Sequence, residues 1–99
     1  MNNSVKQIEK YLDLTVLASE SKIQREVFGY NRTNSNESNK KYADLLRRGW
    51  YKDLYERVEI SVPGVRSRIF YYKGRKGEME TLLANQGETV ESFILKNEL

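Results

Sequence analysis

The 99-residue sequence predicts an α+β fold: three helices, a β-hairpin over about 56–72, then further C-terminal helices. Three observations carry this. In 56–62, Val58, Ile60 and Val62 alternate with Arg57, Glu59 and Ser61, the two-residue period of a half-buried strand. The segment 65–72, VRSRIFYY, concentrates β-branched and aromatic residues, and Pro63-Gly64 before it pairs a fixed φ with a residue that accepts positive φ. On either side of this hairpin, apolar residues recur at three- and four-residue spacing, the period of amphipathic helices.

Taken in order, Ser4 with Gln7 reads as a capping box, and Val5, Ile8 and Leu12 follow on one face of a first helix near 4–13. The apolar stretch 14–18 either extends that helix or forms a short buried connector. Ser21 with Gln24 marks a second helix, about 20–28, with Ile23 and Val27 inward and Gly29 as its C-cap. Residues 31–39, NRTNSNESN, hold no apolar side chain and read as a long turn or loop; Asn34, Ser35 or Ser38 is its candidate cap for the next helix. That third helix, about 36–48, buries Tyr42, Leu45 and Leu46, and Gly49 is expected to end it beside Arg47 and Arg48. Trp50, Tyr51, Leu54 and Tyr55 then supply core and rim. After the hairpin, GRKG reads as a flexible basic link. A fourth helix follows with Met79, Leu82 and Leu83 inward and Gly87 as its stop, then a fifth capped by Thr89 with Val90, Phe93 and Ile94 inward.

Composition narrows the function classes. With 38% hydrophobic and 31% charged residues the chain reads as one small globule with a core of its own. No apolar run approaches a membrane span of roughly 18 residues, and the start lacks a signal-peptide core, so no membrane partner and a cytoplasmic location are expected. Without cysteine there are no disulfides or thiolate metal sites, which suits a reducing compartment. Without histidine the commonest general base and metal ligand are both gone. No P-loop or GxGxxG occurs and the carboxylates are scattered, so the sequence is not read as an enzyme and no metal or cofactor is expected.

The net charge of +3 is unevenly divided. Residues 1–39 balance five basic against five acidic side chains, 40–76 carry eleven against four, and 77–99 carry one against five. Positive charge therefore collects on the third helix and hairpin, a distribution suited to a polyanion, while the tail is acidic. The bland alternative is a solvated face, with Glu37–Lys41 and Lys40–Asp44 as helix-surface ion pairs worth a few tenths of a kcal/mol each.

The run LLRRGWYKDLYERVEI followed by VRSRIFYY, with SKIQREVFG ahead of it, resembles the winged helix-turn-helix superfamily over about 4–74. It departs from that pattern in the long polar 31–39 segment. The resemblance implies a DNA-binding domain over 1–76 and a C-terminal helical extension over 77–99, with a homodimer formed through 77–98. The partner it implies is double-stranded DNA, and the function that of a transcriptional regulator of phage or plasmid type. The third helix would enter the major groove and the wing, 61–68, would meet backbone or the adjacent minor groove. RVEISVP with the helices of 77–98 also looks like a ribbon-helix-helix repressor, but that fold passes from strand directly to helix. The other uses are a protein-binding adaptor or inhibitor on the same scaffold, and an RNA-binding protein.

The candidate interface follows from the exposed side of the third helix and the wing. Lys40, Lys41, Arg48, Arg66 and Arg68 are candidates for phosphate, and Asn36, Asn39, Lys40, Ala43 and Arg47 for base edges. Arg75 and Lys76 extend the footprint. If Val62 and Val65 pair directly, Glu59 lies opposite Arg68 as a cross-strand ion pair. Seven tyrosines and Trp50 raise the question of base stacking, yet most sit at core spacing, with Tyr72 the least decided.

Overall fold

The computed structural model describes residues 3–29 and 36–97, with side chains for all of these but 3, 36–39, 65 and 66. In chain order the elements are α1 (Asn3–Thr15), β1 (Leu17–Ser19), α2 (Glu20–Phe28), α3 (Asn36–Tyr51), β2 (Glu56–Val62), β3 (Val65–Tyr72), α4 (Lys76–Asn85) and α5 (Val90–Asn97). The fold is α+β: five helices and one three-stranded antiparallel sheet of order β1-β3-β2 among the described residues. The 31–39 loop falls partly outside the described residues, and its last four residues already belong to α3.

The stretch 14–18 resolves into the end of α1, a sharp turn at Val16 and the start of β1. Val16 takes a positive φ of 71° while its N–H still donates to Leu12, so the helix closes and the chain reverses within one residue. Leu17 then stands opposite Tyr72, Ala18 opposite Tyr71 and Ser19 opposite Phe70. Ser19 also caps α2: its Oγ accepts from the Lys22 N–H at 3.1 Å, so the cap lies two residues before the expected Ser21. Gly29 closes α2 in the left-handed conformation, as its position suggests.

β3 is central and its side chains divide between two cores. Tyr71 and Ile69 face α1, α2 and α3, where Val5, Ile8, Leu12, Ala18, Ile23, Leu46 and Tyr55 are buried. Phe70 and Tyr72 face the other way, into Leu17, Val62, Met79, Leu83, Phe93 and Ile94. A strand buried on both faces reads as a continuous apolar run, which is why IFYY shows no alternation while β2, at the sheet edge, does. Helices α4 and α5 therefore cover the second face of the sheet. Leu82, expected inward, is half-exposed, and with Leu95 it lies on the outer side of this pair.

The hairpin turns in two residues. Val62 pairs with Val65, Pro63 fixes its own φ, and Gly64 sits at 83°, the φ pattern of a type II turn. Such a turn splays the strands against their natural twist. The register then slips: Ile60 stands opposite Arg68, so Arg66 and Ser67 face Ser61 alone, a bulge that restores twist. The bulge overturns the expected pairing of Glu59 with Arg68. Glu59 lies opposite Ile69 instead, and its carboxylate accepts from Ser67 Oγ at 2.8 Å.

Gly49 does not end α3, which continues to Tyr51. The chain leaves the helix through Asp53, whose φ is 59°. Gly49 is buried because the Tyr55 ring folds back onto it, and a Cβ there would run into the ring atoms. The Tyr55 hydroxyl donates to the Leu46 carbonyl, tying the loop to the helix. GRKG is not a free link, for α4 begins at Lys76. It ends in a Schellman motif: Glu88 N–H donates to Leu83 O, Gly87 N–H to Ala84 O, and Gly87 has φ 76°. Thr89 caps α5 as expected, with Ser92 completing a reciprocal box at 2.9 and 3.1 Å.

Candidate nucleic-acid interface

The exposed side of α3 is built by helical phase. Leu46 is fully buried and Tyr42 and Leu45 are half-buried, which turns Lys40, Lys41, Asp44, Arg47 and Arg48 to the outside. Ala43 is half-buried at the margin of that face. Because α3 runs on past Gly49, Tyr51 joins it: Lys40, Asp44, Arg47 and Tyr51 follow at i, i+4, i+7 and i+11, and Lys52 stands just past the helix end. All of Lys40, Lys41, Arg47, Arg48, Tyr51 and Lys52 are exposed.

Among the described residues, Lys40, Lys41, Arg48 and Lys52 make no ion pair, and the side chain of Glu37, the expected partner of Lys41, lies outside the described ones. Arg47 Nη1 comes within 3.9 Å of Asp44, both side chains about half-exposed, a pair worth about 0–1 kcal/mol. Asp44 thus moderates the face at its centre through i+3. Lys73, by contrast, is drawn off by Asp13 at 2.9 Å and contributes little to a free basic surface.

At the hairpin, Arg66 lies in the bulge next to the turn, and its side chain, like those of Asn36 and Asn39, lies outside the described ones. Arg68 is half-buried, opposite Ile60 and two residues further from the turn. Arg75, the N-cap residue of α4, and Lys76 are exposed beyond the strand. Among the described residues, no three acidic side chains gather closely enough to hold a metal ion.

Two features of the site escape sequence reasoning. The Arg57 guanidinium lies over the Trp50 ring, 5.5 Å from its centroid, with Nε buried and without a hydrogen-bond partner among the described residues. Trp50 in turn packs against Tyr51, centroids 4.7 Å apart and rings tilted by 43°. Tyr72, the tyrosine whose place the spacing left most open, is in the core. Among the described tyrosines, Tyr51 is the exposed one, at 72%. Extending the helix past Gly49 would have placed it on the basic stripe.

Burial tunes two of the core tyrosines beneath this face. Desolvation pushes Tyr71 well above the ordinary value of 10, and the charge of Glu20, whose carboxylate accepts from the Tyr71 hydroxyl at 3.1 Å, adds to the rise while Arg57 opposes it. Tyr55, edge-on to Tyr71 at 5.4 Å, is raised in the same way by burial.

Comparison of the chain with family models, with curated proteins and with solved structures returns no match, so the reading of this surface rests on its geometry and chemistry.

Proposed function

We propose that this chain is a small duplex-DNA-binding protein of winged helix-turn-helix type, most simply a transcriptional regulator. The element order is compatible with that arrangement: a short strand between the first two helices pairs with the second hairpin strand, giving β1-β3-β2. The observation that carries the reading is the outer face of α3, where Lys40, Lys41, Arg47 and Arg48 are all exposed on one helix, with Lys52 exposed just past its end. In this reading α3 lies in the major groove, which is about 12 Å wide and admits one helix. Lys40, Lys41, Arg48, Arg66 and Arg68 hold phosphates, and Asn36, Asn39, Lys40, Ala43 and Arg47 face base edges. The hairpin tip at Pro63-Gly64 meets backbone or the neighbouring minor groove.

The test is the double charge reversal Arg47→Glu with Arg66→Glu. Arg47 is exposed and Arg66 belongs to the bulge beside the turn, so the folded circular-dichroism spectrum is expected to persist while retention on duplex DNA is lost. Retention at wild-type strength by the folded variant would overturn the proposal.

A further inference from the structure

The far end of α3 carries a feature that phosphate binding does not use. Tyr51 is 72% exposed, on the same stripe as Lys40 and Arg47, about 16 Å along the helix from Lys40. Isolated exposed aromatics are ordinary on protein surfaces. Tyr51 differs in its support. Trp50 backs its ring at 4.7 Å, and the Arg57 guanidinium backs Trp50 from β2, so ring upon ring upon cation extends from the core to the surface. Arg47 and Arg48 precede Tyr51 by four and three residues, one turn back on the same helix, and Lys52 follows it; all three are exposed. An exposed aromatic ring packed against a second ring, with cations one turn back along the helix, offers the chemistry by which proteins stack unpaired bases while holding the adjoining phosphates. A paired base inside a duplex cannot present its face to such a ring.

We infer that Tyr51 is a stacking platform for an unpaired base, so that the preferred ligand is duplex DNA flanked by a single-stranded segment. This rests on the duplex-binding reading above and names the form of DNA that the same surface selects. The hydroxyl plays no part in it; the ring does. Trp50, the only tryptophan in the chain, lies directly behind and reports on the event.

The experiment compares one labelled duplex with both ends closed by non-nucleotide glycol linkers, the same duplex with a short single-stranded tail, and the tail alone, at one salt concentration. The tail is expected to tighten wild-type binding by about tenfold, at the lower end of what a base stack contributes, and to quench Trp50 emission. Tyr51→Ala should erase that gain and leave the closed duplex bound as before, and Tyr51→Phe should keep it. Equal binding of closed and tailed duplexes by the wild type overturns the inference, as does a Tyr51→Ala loss of the same size on both. Failure of the duplex reading looks different: the closed duplex is then not bound, while the tail alone still separates wild type from Tyr51→Ala if the platform is real. Binding of none of the three DNAs overturns both.

Discussion

Gly49 shows how a single residue can be misread when its cause lies elsewhere in the chain. A glycine after a leucine pair carries the signature of a helix stop, yet here it sits inside α3 because the Tyr55 ring occupies the space of a side chain. Alanine in a helix is ordinarily favoured over glycine by about 1 kcal/mol. Here the ring contact reverses the sign. Gly49→Ala is expected to destabilise by about 1–3 kcal/mol, the usual cost of overpacking, and a thermal melt that rises would contradict this. Tyr55 and Tyr71 make a second prediction, in pH. Both hold their protons above the ordinary value of 10, so folded and unfolded chains are equally neutral below it. Above it the unfolded chain ionises first, and stability is lost as pH rises. The urea midpoint should fall between about pH 10 and 12, and Tyr71→Phe should flatten that fall. An unchanged midpoint in the wild type would contradict the assignment.

Among the elements, the long ones were legible and the short one was not. The α2 boundaries, the hairpin, its Pro-Gly turn and the Thr89 cap all follow from local spacing and turn chemistry. β1 does not, because three residues buried on both faces show no period, even at the sheet edge; only pairing with β3 makes them a strand. The exposed stripe of α3 was legible as far as Arg48, and Tyr51 was missed for the same reason as Gly49. The alternation of β2 reads Arg57 as outward, yet it stands opposite Tyr71 on the α1–α3 side of the sheet, half-buried over Trp50, which only the tertiary structure shows. The terminal helices are where burial is most consequential. Removing 76–97 would bare Leu17, Val62, Phe70 and Tyr72, each worth about 1.5–3 kcal/mol when buried. Their sum rivals the 5–15 kcal/mol by which most domains are stable. The truncated chain is therefore expected to lose its cooperative thermal transition. A melt superimposable on that of the full chain would show that the second face of the sheet needs no cover.

At the scale of the molecule, the fold separates charge. The exposed side of α3 is basic, while Glu78, Glu80 and Glu91 are exposed on α4 and α5, which cover the opposite face of the sheet. Such a division steers a polyanion toward one side and away from the other, over distances set by salt. The central claim is that the basic side holds DNA phosphates, and counterion release makes it measurable. The direct measurement is a fluorescence-anisotropy titration of random-sequence duplex DNA at about 50 and 200 mM salt. If about six cations contact phosphates, log affinity falls against log salt with a slope near −5, close to a thousandfold over that range. Binding that is absent at low salt, or indifferent to salt, would contradict the account.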